Sequence, residues 1–408
     1  MSENDTKTNE APTRREYVKY GGTVIGGGLL AGCAGQSDEE STPTETETDE
    51  STATESSTPE DQSYSVTISP IGSVEFDEVP EDVMAYSPHY ADMLVGLGVG
   101  DRLNSLSFPD FLFTGFYDQL PGVSVDNDSL VRLFDEGMDK ELLYELDSDV
   151  HLQDPTWIHN VGAFGLDESD TTEIATNVGP WFGNRYSRRN NYAGSMEYEY
   201  YSIWELTAKV GEAMRRRERA VELERVYDDL IGTIRPRLPT GDARPRVLFG
   251  ELYDDTFYPT PFRRPGHEFG VFRDLRLRDA IPEDEYETYL KTDATFDYSG
   301  LLELDPDIII QSRGIAYEQQ RERSLQEYFY ERLQSDPVAS KVTAVENGRL
   351  YPGPTPFLGP VFRIFCAEML AKQVYPDEFG RWRGVGDTPE DEQLFDRQRV
   401  ADIINGNI

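Results

Sequence analysis

Lysine is almost missing from this chain of 408 residues, where 7 Lys and 31 Arg face 77 Asp and Glu for a net charge of −39. Such a deficit of positive charge excludes nucleic acid as a partner, because binding it requires a basic face that releases phosphate counterions. Cysteine is scarce too: Cys33 and Cys366 are the only two, which excludes a disulfide framework. Histidine occurs at positions 89, 151, 159 and 267 alone, with no paired metal-ligand spacing, so no metal site is assigned. A mean hydropathy of −0.58 excludes a multi-span membrane protein. No Gly-x-Ser-x-Gly elbow, His-Glu-x-x-His or Walker-type glycine loop is present, so the common hydrolase and nucleotide-binding signatures are lacking. No internal repeat is visible. An acidic, lysine-poor surface suits molar salt, where the Debye length falls to about 3 Å and self-repulsion becomes tolerable. A halophilic protein is therefore expected.

What is present begins with an address. Arg14-Arg15 followed by Tyr17 has the form of a twin-arginine export signal, and a weakly apolar stretch over 21–31 leads into Leu30-Ala31-Gly32-Cys33. That tetrapeptide resembles a lipobox, in which Cys33 becomes the lipidated N-terminus. The apolar stretch is much shorter than the about 20 residues of a membrane span. Residues 36–62 then hold twelve Ser/Thr, ten Asp/Glu, no basic residue and no aromatic. Nothing in them can offset the entropy of ordering, so residues 34–63 read as a disordered, self-repelling tether. Signal over 1–33 and tether over 34–63 together imply an exported domain, lipid-anchored to the outer face of the cytoplasmic membrane.

From Tyr64 the pattern becomes globular. Short apolar runs (83–86, 103–106, 149–152) alternate with helical spacing (90–97, 138–146), and a second series follows at 246–250, 301–310 and 348–351, with helices over 361–375 and 390–404. This alternation predicts an α/β fold of two Rossmann-like lobes with mainly parallel sheets. Between them, residues 201–238 carry two apolar helical faces, Ile203/Leu206/Val210 and Ala220/Leu223/Tyr227/Leu230/Ile234, separated by a polar break at Met214–Arg217. The expected division is an N-terminal lobe over 64–216, a linking helix over 217–238, and a C-terminal lobe with terminal helices over 239–408. Cys366 falls in an apolar run and reads as a small core hydrophobe.

Several segments in this order resemble the substrate-binding proteins of iron–siderophore and cobalamin ABC importers. They are Val79-Pro80-Glu81-Asp82-Val83, Gly96-Leu97-Gly98-Val99-Gly100-Asp101-Arg102, the entry from Ser202 to Ala220, Leu304-Asp305-Pro306-Asp307, and Ala344 to Tyr351 with Gly359-Pro360. The resemblance implies a monomer with its ligand in the cleft between lobes joined by one long helix. It implies no catalysis and no cofactor, the ligand being a small metal chelate of the ferric siderophore type, with cobalamin or haem as alternatives. Partners would be an ABC permease and its cytoplasmic ATPase. Docking in that family uses one carboxylate per lobe, which here falls on Asp92 and on Asp274, with Glu268 competing for the second place.

Candidate cleft residues follow predicted strands or crowd into arginine-rich loops. Tyr86, His89 and Tyr90 follow the first strand, and Trp157 and His159 follow the run at 149–152. The loop 179–192 brings Trp181, Arg185 and Arg188, the loop 257–265 brings Arg263 and Arg264, and Arg313 stands straight after a strand. Guanidinium groups suit carboxylate or catecholate oxygens, and aromatic rings wall a bulky ligand. The same arginines would also serve as surface ion pairs for the acidic majority. A lipid-anchored hydrolase is the reading from another class, and it would need a nucleophile–base pair or paired carboxylates.

Overall fold

The computed structural model describes residues 63–133, 139–161, 165–192, 194–253, 255–291, 294–320, 325 and 329–408. The expected export signal, Cys33 and all of the tether but Ser63 lie outside the described residues.

The described chain opens with a hairpin that the sequence reading did not anticipate. Strands β1 (Tyr64–Ile68) and β2 (Gly72–Phe76) pair antiparallel, and their alternation turns Val66, Ile68, Val74 and Phe76 inward. The first sheet follows, built from β3 (Val83–Ala85), β4 (Leu103–Leu106), β5 (Val131–Arg132) and β6 (Val150–Leu152) in the order β5-β4-β3-β6, all parallel. Every residue of β3 and β6 is buried, as expected for strands covered on both faces. Helix α1 (Pro88–Gly96) starts on a proline and is buried on every side. The chain leaves it through Gly98 at φ 68°, where a Cβ would meet the Ile404 carbonyl at 2.1 Å. Helix α2 (Pro155–Val161) leads off β6.

The linking region breaks where its polar interruption predicts. Helix α3 (Ile203–Ala213) begins in a capping box between Ser202 and Glu205. Arg215 takes a left-handed φ of 51°, and α4 (Arg217–Ile234) continues beyond it to Pro236. The two apolar faces read from the sequence are the two buried faces.

The second sheet has the order β11-β10-β7-β8 with β9 also on β7, where β7 is Arg246–Tyr253, β8 Thr256–Pro259, β9 Arg278–Asp279, β10 Ile308–Gln311 and β11 Leu350–Pro352. All of its pairings are parallel except β7 with β8. Period-two alternation splits its residues between two cores: Val247, Phe249, Ile308 and Ile310 face the linking helices, while Leu248, Leu252 and Ile309 face a separate cluster with Leu301 and Val345. Helix α5 (Gly314–Gln320) follows β10.

The end of the chain returns to the first half. All 15 residues of α6 (Pro360–Val374) are buried, and it packs on α1, α3 and α4. Cys366 sits within it, fully buried. Helix α7 (Arg397–Asn405) starts later than expected, capped by Asp396, and packs on α4 and α1. Burying a large apolar side chain contributes about 1.5–3 kcal/mol, so this shared core ties the halves firmly.

Candidate functional site

In open α/β sheets the carboxyl ends of strands mark the crevice where ligands bind. Here five strand ends converge. Tyr86 to His89 follow β3, Ser107 to Phe111 follow β4, Gln153 to Trp157 follow β6, Ser312 and Arg313 follow β10, and Thr355 to Phe357 follow β11. The aromatic rings among them meet across the crevice. Phe357 lies 6.4 Å from His89, 6.1 Å from Phe108 and 6.3 Å from Phe111. Tyr86 lies 5.0 Å from Trp157 and 6.2 Å from Phe108.

Three arginines lie on this aromatic wall. The guanidinium of Arg185 stands 4.9 Å over Trp157, that of Arg188 5.1 Å over Phe357, and that of Arg313 4.8 Å over Phe111. Such placement keeps a cation in an apolar setting through the ring quadrupole. Arg313 holds a left-handed φ of 60°, fixed by its N–H donating to the Pro354 carbonyl at 2.9 Å; its Nε lies 3.1 Å from Glu251. A strap from the second half closes the crevice: the His267 and Glu268 N–H groups donate to the Ser187 and Arg188 carbonyls at 3.2 and 3.0 Å. Glu268 accepts from Arg188 at 3.0 Å and also from Arg189. Burial would raise the Glu268 carboxyl, but Arg188 and Arg189 outweigh it and hold it at about 2.

The unusual property of the crevice is its polar atoms without partners. Ser87 Oγ, both ring nitrogens of His89, Ser107 Oγ, both amide ends of Gln153, Arg185 Nη1, His267 Nε2 and Thr355 Oγ1 are buried and make no hydrogen bond among the described residues. Leaving such a group unpaired costs about 1–3 kcal/mol, and native proteins carry few. Burial pushes the imidazoles of His89 and His267 well below their usual range, aided at His89 by His267, Arg185 and Arg188 and at His267 by Arg363, Arg188 and Arg185. Both are neutral, their rings 5.6 Å apart. Among the described residues no group of three or more His, Cys, Asp or Glu is placed to hold a metal ion. The chemistry on offer is recognition: guanidinium donors, neutral imidazoles and amide groups set among aromatic faces.

The sequence-predicted residues divide. Tyr86, His89, Trp157, Arg185, Arg188 and Arg313 come together at the crevice. Tyr90 is fully buried in the core, with its hydroxyl accepting from the Asn184 N–H at 2.8 Å. Trp181 lies behind β6, its Nε1–H bonded to the Thr171 carbonyl at 2.8 Å and its ring 4.7 Å from His151. His159 bonds the Thr171 hydroxyl. Arg263 turns away to the Ile281 carbonyl at 2.7 Å and the Tyr286 ring at 4.4 Å. Arg264 is half-buried, its charge acting on Glu268 and Tyr286.

The surface carboxylates need correction. Asp92 is 0% exposed, accepting from the Tyr117 hydroxyl at 2.6 Å and the Phe362 N–H at 3.1 Å, so α6 shuts it off from any surface. Glu268, 2% exposed, is the ion-paired strap residue described above. Asp274 keeps 30% side-chain exposure, beside Arg235. Sequence reasoning missed Ser87, Ser107, Phe108, Phe111, Gln153, His267, Thr355 and Phe357. All but His267 stand within a few residues of a strand's carboxyl end, the signal that could have found them.

Residues 83–356 match the family model described as periplasmic binding protein. Among solved structures, a periplasmic binding protein from Veillonella parvula is similar over 77% of this chain and 97% of its own, at 16% identity and a TM-score of 0.54. An iron uptake ABC transporter substrate-binding protein from Streptococcus pneumoniae is similar over 78% and 100%, at 14% identity and a TM-score of 0.51. A petrobactin-binding protein from Bacillus subtilis is similar over 77% and 97%, also at 14% identity and 0.51. At these identities the fold is what is shared. No curated protein matches the chain.

Proposed function

The chain belongs to the periplasmic binding protein family, a family of solute-binding proteins, and from that membership we propose that its solute is an anionic ferric chelate of the iron–siderophore type, captured in the crevice and delivered to the permease of an ABC importer. One observation carries this reading: unpartnered buried polar atoms from both walls gather beside Arg185, Arg188 and Arg313, each seated on an aromatic ring. A chelate with peripheral carboxylate or catecholate oxygens supplies the missing acceptors, and its organic frame fits the rings. The iron-uptake and petrobactin-binding proteins that share the fold agree with this class of cargo. Arg185 has an unpartnered Nη1 and stands on Trp157, so the ligand's first anchor and a fluorescent reporter sit together.

In the same reading, the 34–63 tether and lipidated Cys33 hold the binding domain at the outer membrane face. The lobes over 64–216 and 239–408 close slightly about the 217–238 helix, because a long helix with a shared core hinges little. Of the candidates for the two docking carboxylates, Asp92 and either Asp274 or Glu268, Asp274 is the one left with surface to offer. Cys33→Ser is expected to move the protein from the membrane fraction to the medium; retention on the membrane would remove the anchor from the account.

The test of the ligand is a tryptophan-fluorescence titration against ferric hydroxamate, ferric catecholate, cobalamin and haem, with iron-free chelators as controls. Saturable quenching by a ferric chelate and none by its empty chelator is the expected result. Saturation by cobalamin or haem alone would replace the proposed cargo, and silence from the whole panel would refute it.

A further inference from the structure

A second opening lies outside the crevice. A groove of about 300 Å³ runs between the entry to the linking helices, where Tyr201 and Trp204 stand, and the segment carrying His267, Gly270, Arg273 and Arg363. Its lining holds two arginines, Arg273 and Arg363, and one aspartate, Asp274. Arg363 is 2% exposed; it donates through Nη2 to the His267 carbonyl and also bonds the Tyr227 hydroxyl, while its Nε has no partner among the described residues. Arg273 donates to the Arg264 and Gly266 carbonyls. Neither arginine has a carboxylate in ion-pair contact among the described residues, in a chain holding 77 Asp and Glu. Asp274 also lines the groove and its charge acts on Arg273, but its carboxylate makes its contacts with Arg235 at 2.5 Å and the Tyr227 hydroxyl at 2.7 Å, so one carboxylate is shared among three arginines.

A buried guanidinium cannot shed its proton, so it needs a counter-charge. The fold also makes room for it: a Cβ at Gly270 would stand 2.2 Å from Arg363 Nη1.

We propose that this groove is a second binding site, for a small oxyanion bearing carboxylate or phosphate oxygens, held by Arg363 and Arg273 against Trp204. Occupancy there ties the linking-helix entry to the strap, because His267 lines the groove while its ring faces His89 in the crevice. The site does not depend on the ferric-chelate reading, and its test is separate.

The experiment titrates the full chain with inorganic phosphate and with citrate at constant ionic strength. Binding is followed by calorimetry and by fluorescence in a Trp157→Phe background, which silences the crevice reporter. One-site saturation by either anion is expected, weakened about tenfold by Arg273→Gln, the loss of one charge-assisted contact. Arg363→Lys, which keeps the charge but not the planar fork, should weaken it as well. Arg185→Ala should leave it unchanged. Three results would overturn the proposal: no saturation by either anion, equal affinity in Arg273→Gln, or loss of binding in Arg185→Ala, which would place the anion in the crevice.

Discussion

The seam beneath α6 and the crevice beside it are buried to similar depth, yet their polar atoms are treated in opposite ways. In the seam, both Asp92 oxygens are satisfied by the Tyr117 hydroxyl and the Phe362 N–H. With only neutral donors near it, burial pushes the Asp92 carboxyl up to about 7. At the edge of the crevice, Glu268 is equally buried but is held at about 2 by Arg188 and Arg189. Within the crevice, the Ser87, Ser107 and Thr355 hydroxyls, the His89 ring and the Gln153 amide have no partner among the described residues. Burial alone therefore does not separate the Asp92 carboxylate from the crevice groups; whether their polar atoms are paired does. Around Asp92 the seam pairs its own polar groups, whereas several in the crevice are unpaired among the described residues.

The largest expected effect comes from breaking the strap. Glu268→Gln leaves Arg188 buried without its counter-charge and should cost about 3–5 kcal/mol in urea unfolding. The sign of the pH dependence follows from the depressed carboxyl. Its contribution is whole above its ordinary 4.5 and lost as pH falls through 4.5 towards 2. The variant should lack that acid loss, and an unaltered acid limb would show that the strap is not what holds the halves.

Asp92 should behave in the reverse sense. Its raised carboxyl contributes stability fully below its ordinary 3.8 and loses it as pH rises through about 7. Asp92→Asn should flatten that fall in a series of unfolding midpoints and cost about 1–2 kcal/mol at acidic pH, where one acceptor is replaced by a donor. A pH profile identical to the parent would contradict the buried, neutral-donor description.

Much of this was legible in the sequence, and the reason is local. Apolar runs too short for helices gave β3, β6 and β10, and the polar interruption at 214–217 marked where α3 and α4 part. The crevice arginines 185, 188 and 313 were found because strand ends and arginine-rich loops are readable one segment at a time. The buried fate of Asp92 was not readable, because it depends on α6 arriving from the far end of the chain to cover a helix that looks amphipathic alone. His267 and Phe357 were missed for the same reason: their roles come from pairing with Arg188, His89 and Phe108, which lie in the other half.

The smallest effect sharpens the contrast. Ser87→Ala removes an oxygen that has no partner among the described residues, so stability should change by less than about 0.5 kcal/mol. Affinity for the ferric chelate should nevertheless fall several-fold. A clear loss of stability would mean that the hydroxyl belongs to the framework.

The most direct measurement sets the parent beside Arg185→Ala in titrations with the ferric chelate that saturates the parent, after confirming equal urea midpoints. The account predicts an affinity at least about tenfold weaker in the variant, one charge-assisted contact being worth about 1.5–3 kcal/mol. Equal affinity in two equally stable proteins would contradict it, because the unpartnered Arg185 Nη1 would then have no ligand to meet.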